Sequence, residues 1–386
     1  LKKGENFWTE LQHQLKKKRL NQVRLRHRLP GVRLYMKTGK YNLVSRILKY
    51  YGYELGKMSM NLTSSSLTGL NGHAEIDSLV IDSFLVDTVR LAVASKEGAM
   101  NYSLQVRNGK KNPQYVFNAF FEGALNAEGT YIKTSIYDDK DRLGIRMAMQ
   151  GSMEQKGIRI KVFDDDPILG YKTFAVNDNN YIFLGDDRRL SANLSLRADD
   201  GTGAQVYTND ENTHALQDVT IGLHRFDLGQ LLSAIPFAPA VTGVMDGDFH
   251  LVQTEKELTI SSAINIGKMT YEGSAMGNLG TEFTYMPKED GGHYVDGILT
   301  KDGKEIGTLT GTYLSKGNGH LDAQLGLERM PMDIFNGFVP DKLVGFRGYA
   351  EGMLTLKGSL KNPDVNGEVF LDSTFMYSEP YGVEVR

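Results

Sequence analysis

From about residue 53 to the end of the chain, apolar and polar residues alternate with a period of two, segment after segment. Successive side chains of a strand take opposite faces, whereas a helix repeats every 3.6 residues. Such a chain is committed to strands with one apolar and one polar face. Val89, Leu91 and Val93 form one row, with Arg90 on the other side. Leu143, Ile145, Met147 and Met149 form another, and Ile158 with Ile160 alternates with Arg159 and Lys161. The rows continue through Leu194 and Leu196, Ile221 and Leu223, Ile264 and Ile266, and Leu325 and Leu327. These seventeen side chains are the candidate lining of an apolar groove.

Turn chemistry separates the rows. Asn108-Gly109, Asp200-Gly201, Gly291-Gly292, Asp302-Gly303 and Asn366-Gly367 tolerate positive φ and are expected to close hairpins. The chain has 42 glycines but only 10 prolines, as many short strands with tight turns require. The expected architecture is all-β and antiparallel.

The first 52 residues read differently. Glu5 to Leu20 has the character of a polar helix, followed by a basic extended stretch to Lys37. Leu43, Ile47, Leu48 and Tyr51 then fall at helical spacing. Residues 1–50 hold 14 Lys and Arg against Glu5 and Glu10 alone, although the whole chain carries −3. Such an end suits a solvated helix or contact with anionic head groups.

With 386 residues, the chain exceeds the length at which one core stops growing. An internal repeat supplies its organisation. Ile221-Gly222-Leu223, Arg225, Asp227-Leu228 and Pro236 recur as Leu325-Gly326-Leu327, Arg329, Asp333-Ile334 and Pro340, at offsets of 104–106 residues. Each copy reads as strands, a short amphipathic helix, then strands, and such units stack into an elongated body. The expected divisions are a basic segment (1–52), a β-rich groove region (53–215), a first repeat unit (216–320, helix 227–235) and a second (321–386, helix 331–339).

Within the second unit, LTLKGSLKNPDVNGEVFLD (Leu354–Asp372) resembles the recurring unit of TamB/AsmA-like proteins. In that unit a strand ends in a Gly-x-Leu-x-Asn-Pro-x-x-x-Gly turn, here Gly358, Leu360, Asn362, Pro363 and Gly367. The segment SMNLTSSSLTGLNGHAEIDSLVIDSF (Ser59–Phe84) is similar to the family's strand entry. The first copy has Gln253-Thr254-Glu255-Lys256 where the motif would fall, so the turn occurs once. The resemblance, closest to Bacteroidetes-type TamB, implies a curled, taco-like β-groove with a few short helices and a basic helical N-terminal segment. It further implies a periplasmic protein anchored in the inner membrane through parts outside this stretch. The implied roles are outer-membrane protein assembly and translocation, and phospholipid transport between membranes. The implied partners are a β-barrel of the TamA or TamL type and a phospholipid or other acyl-chain ligand. The chain is then an internal stretch of a longer protein, which fits its start at Leu1 and its stop at Val385-Arg386.

Sites for chemistry do not emerge. The chain has no cysteine, which excludes thiol nucleophiles and zinc-thiolate centres. His13, His27, His73, His214, His224, His250, His293 and His320 show no metal-ligand spacing and read as surface or turn residues. Asp138-Asp139 with Asp141, Asp164 to Asp166, and Asp199-Asp200 lack the EF-hand spacing and read as solvated turn acids. No nucleophile elbow or phosphate loop is present. The strand region is acidic and lacks an aromatic-basic motif, so nucleic acid is not an expected partner. The reading is therefore a non-enzymatic protein without catalytic residues, cofactor or metal. The alternatives are a carbohydrate-active β-sandwich enzyme, disfavoured because Trp8 is the only tryptophan, and a structural β-repeat or adhesin module whose rows are its own core.

Overall fold

The computed structural model describes residues 2–17, 21–96, 98–127, 129–209, 211–212, 214–288, 291–315, 319–339, 344–360, 362–378 and 381–385. The chain is all-β: its 25 strands belong to antiparallel sheet that is not closed into a barrel. Contacts divide it into two compact units, Leu1–Leu190 with Ser233–Ala238, and Ser191–Leu232 with Pro239–Arg386. The stretch 53–215, expected to be one region, is thus divided after Leu190.

The first unit opens with α1 (Lys2–Lys16) and α2 (Gln22–His27). The second helix corrects the expected extended stretch. The Asn21 side chain accepts a bond from the Arg24 amide and starts a helical turn where the periodicity is too short to register. Then come β1 (Val32–Thr38), α3 (Leu43–Tyr50), β2 (Tyr53–Ser65), β3 (Gly69–Ile81), β4 (Phe84–Lys96), β5 (Ala99–Asn108), β6 (Phe117–Asn126), β7 (Gly129–Tyr137) and β8 (Leu143–Glu154). Neighbours in this series pair in a meander. The far edge of β8 is shared by β9 (Gly157–Val162) and β10 (Ile168–Leu169). The short β11 (Lys172–Thr173), β12 (Ala175–Val176) and β13 (Tyr181–Gly185) follow, and β13 pairs with β9.

The second unit is a longer meander. It runs through β14 (Leu190–Arg197), β15 (Gly203–Thr208), β16 (Gln217–Asp227), α4 (Leu228–Ser233), β17 (Val241–Gln253), β18 (Leu258–Tyr271), β19 (Ser274–Pro287), β20 (Gly292–Lys301) and β21 (Lys304–Leu314). It ends with β22 (His320–Pro331), a 3-10 helix (Met332–Phe338), β23 (Gly345–Ser359), β24 (Asn362–Ser378) and β25 (Val383–Val385). Asp200-Gly201 and Asp302-Gly303 close hairpins as expected, with Asp302 and Gly303 at φ 51° and 76°.

Asn366-Gly367 does not close one. Both residues lie inside β24, and the last pair of the β23–β24 hairpin is Ser359 with Asn362. Gly367 is needed there for a different reason. Its φ is 150°, and a Cβ would lie 2.1 Å from the Met353 carbonyl oxygen of the neighbouring strand. Pro340 falls outside the described residues, so its place after the second helix is not described.

The repeat takes physical form as a strand, a short helix and two more strands, with the first strand paired to the one after the helix. The α4 and 3-10 helices occupy the positions expected for the helices at 227–235 and 331–339. A third copy is present that the sequence did not disclose: β1, α3, β2 and β3. In each copy the last strand carries a residue in the left-handed region, Ser78 (φ 58°), Lys268 (52°) or Ser373 (50°). Beside each lies a glycine of the preceding strand, Gly56, Gly243 or Gly348. In the second and third of these the register shifts at the pair, which makes it a bulge, whereas Gly56 and Ser78 face each other without a shift.

The helical segments differ in what they cover. In the second unit Ile334 of the 3-10 helix is buried against Met276, Ile306 and Met330. In the first unit the segment 233–238 places the Phe237 ring 5.0 Å from Phe84 and 5.8 Å from Phe117. Helix α3 is closed by a capping box between Asn42 and Ser45. Its apolar stripe of Leu43, Ile47, Tyr50 and the following Tyr51 is 50–85% exposed.

Candidate functional site

Register decides which side chains share a face. In the first unit the pairings place Met58, Ile76, Val89, Val106, Ala119, Ile136, Ile145 and Leu169 side by side across eight strands. A second lateral row runs from Met60 through Leu91, Leu104 and Phe121 to Met147. A third runs from Leu62 through Val93, Tyr102 and Ile132 to Met149 and Val162. Residues at intervening positions are polar: Glu75, Arg90, Gln105, Ser135 and Arg146 pair in succession, apart from Phe120. Arg90 and Glu75 form a salt bridge of 2.8 Å on that side.

The second unit repeats the pattern. Leu194, Val206, Ile221, Phe249, Ser262, Phe283, Gly297, Leu309, Leu325 and Leu354 are lateral neighbours. So are Leu196, Ala204, Leu223, Gly247, Ile264, Thr281, Leu299, Gly307 and Leu327. Ile266 sits one row further on, between Met245 and Leu279.

The candidate residues are thus brought together within each unit, nine in the first and eight in the second. Leu143 departs from the pattern, because a register shift pairs it with Tyr137 and leaves Gly144 beside Ala234. Of the seventeen, Leu196 alone is buried, Leu91, Ile158 and Ile221 are exposed, and the rest are half-buried. A fully covered core row would be nearly inaccessible. Partial cover comes from the helices: Leu279, Leu299 and Leu327 pack under the 3-10 helix.

Several members of the face were missed in the sequence, notably Phe121, Phe249, Phe283, Leu299 and Leu309. Alternation marks each strand's apolar side, but lateral neighbours depend on register, which hairpin length and bulges set. The face also has details that no pattern predicts. Tyr102 lies over Gly123, where a Cβ would be 2.4 Å from its hydroxyl oxygen, and that hydroxyl donates to the Tyr131 carbonyl at 3.2 Å. Ser262, between Phe249 and Phe283, is buried with a hydroxyl that has no hydrogen-bond partner among the described residues.

Two of the histidines make specific contacts from strands. His250 Nε2 lies 2.7 Å from Oδ1 of the buried Asp218. His293 stands between the rings of Tyr285 and Tyr313, each centroid 5.8 Å away.

Carboxylates with perturbed acidity are shifted downward. The Asn212 amide and His250 hold Asp218 below its ordinary value against a smaller opposing effect of burial. Burial pushes Asp138 up, but bonds from the Arg142 amide and guanidinium and from the Lys140 amide outweigh it. Lys133 holds Asp165 down. These are the environments of structural anions; a general acid at neutral pH needs the opposite shift. Among the described residues no group of three or more His, Asp or Glu side chains is placed to hold a metal ion. No helix among them is long and apolar enough to cross a membrane.

Comparison with known proteins returns no matching family model, no matching curated protein and no matching solved structure.

Proposed function

We propose that this chain is part of a non-enzymatic, periplasmic cell-envelope protein of the TamB/AsmA-like kind. In this reading it is anchored to the inner membrane through parts outside this stretch. Its apolar sheet face carries acyl chains, in phospholipid transport between membranes or in assembly and translocation of outer-membrane proteins. A β-barrel of the TamA or TamL type is its partner.

The observation that carries the proposal is the set of apolar rows running strand after strand across each unit while remaining mostly half-buried. A lipid tail on such a face gains about 0.8 kcal/mol per buried methylene without any directed bond. The other face is ordinary charged surface, so the two sides of one sheet face different media. The likeness of Leu354–Asp372 to the recurring unit of TamB/AsmA-like proteins supports the choice of family.

Photo-crosslinkable phospholipid provides the test. Label should be captured by the wild-type chain and lost when a charge enters the rows, as in Ile264→Arg or Met147→Arg. Capture that survives both changes in folded protein refutes the reading.

A further inference from the structure

An apolar cleft of about 600 Å³ lies between the α1–α2 pair and the hairpin ends of the first unit, where Leu70, Met100 and Leu125 continue the apolar face two residues beyond Gly72, Tyr102 and Gly123. Phe7 and Leu11 line it from α1, and Leu25 from α2. Leu70, Met100 and Leu125 line it from β3, β5 and β6. Its size falls within the range of small-molecule sites, about 300–1,000 Å³.

The helices above it are fixed in place. Glu10, 5% exposed, joins them: its carboxylate meets the Arg24 guanidinium at 3.0 Å and that of Arg28 at 3.4 Å. Gln14 donates to Glu10 and accepts from the Asn21 amide. Arg24 and Arg28 therefore share this one carboxylate. Arg26 and His27, which line the cleft, are in a different state. Arg26 donates to the Leu67 carbonyl, and no carboxylate among the described residues pairs with it.

We propose that this cleft takes one acyl chain of an anionic amphiphile, with its charged head at Arg26 and His27. The apolar walls select an alkyl chain and the uncompensated guanidinium selects a negative head. The surplus of 14 basic over 2 acidic residues in positions 1–50 favours the same sign. The inference rests on the acyl-chain reading above and deepens it by placing a discrete site, covered by helices, at the hairpin end of that face.

Palmitate is the probe, with hexadecanol as its neutral counterpart, titrated into the whole chain and followed by calorimetry. We expect saturable binding of one palmitate at this site, weakened at least tenfold by Met100→Lys. Val23→Glu should do the same. Val23 lines the cleft yet is 66% exposed, so its replacement leaves the fold intact. Arg26→Gln should weaken palmitate about tenfold and leave hexadecanol unchanged. Ile264→Arg, in the rows, should leave this binding alone. Palmitate binding lost in Ile264→Arg but kept in Val23→Glu would overturn the site while sparing the row-face reading. Absence of saturable binding, or equal loss of palmitate and hexadecanol in Arg26→Gln, would overturn it as well.

Discussion

Ile334→Ala and Ile47→Ala make a matched pair, because both side chains sit on the short helix of a repeat copy. Ile334 is 7% exposed and enclosed by Met276, Ile306 and Met330. Truncating such a side chain loses its transfer free energy and leaves a cavity, together about 2–5 kcal/mol. The flanking methionines are flexible and refill part of the space, which places the cost near 3 kcal/mol. Ile47 is 50% exposed, so its truncation should cost under about 0.5 kcal/mol. The only tryptophan, Trp8, lies in α1 and would not report on either site. Hydrogen exchange by mass spectrometry reads local opening directly. In Ile334→Ala the peptides spanning β21 to β23 should open roughly a hundredfold more often, as about 3 kcal/mol requires. Peptides around α3 should be unchanged in Ile47→Ala. A change under threefold in the first variant, or a comparable change in the second, would refute the assignment of a covering role to the 3-10 helix.

Other consequences follow from single residues. Ser262→Ala removes a buried hydroxyl without a partner among the described residues and should raise stability by about 0.5–1.5 kcal/mol; thermal melts would register a loss if the hydroxyl is in fact satisfied. Asn108, 1% exposed, bonds to the Asp87 amide and the Leu85 carbonyl, so Asn108→Ala should cost about 2 kcal/mol and free the β4–β5 end in exchange experiments. Gly352→Ala puts a Cβ 2.1 Å from the Glu368 carbonyl oxygen at φ 151°, so urea unfolding should shift down by at least about 2 kcal/mol. Because the folded pKa of Asp218 is lowered, its stabilising contribution is complete above the ordinary carboxylate range and lost as pH falls through the lowered value. Asp218→Asn should therefore be less stable than wild type at pH 7, with the gap closing in acid; a gap that widens in acid contradicts this sign.

Much of the fold was legible because alternation is a direct record of a two-faced strand. The rows around Val89, Met147, Ile264 and Leu325 were found by period alone, and their polar faces with them. The β16 and β22 copies were recognisable because Arg225 and Arg329 recur in equivalent local sequence. The first copy was not, because what it shares is geometric: a left-handed residue beside a glycine, filled once by lysine and twice by serine. Asn366-Gly367 misled for a related reason. Glycine is required where strands approach closely as well as where they turn, and sequence does not separate the two uses. The α1–α2 cleft was out of reach, since it joins residues from six elements whose proximity depends on register and on the Glu10 link.

The most direct test of the central proposal is native mass spectrometry of the purified chain, paired with lipid extraction. The account predicts co-purifying phospholipid that disappears from Ile264→Arg and Met147→Arg while both proteins stay folded by circular dichroism. A wild-type chain that stays lipid-free after exposure to phospholipid vesicles, or one whose lipid is retained in both variants, would contradict it.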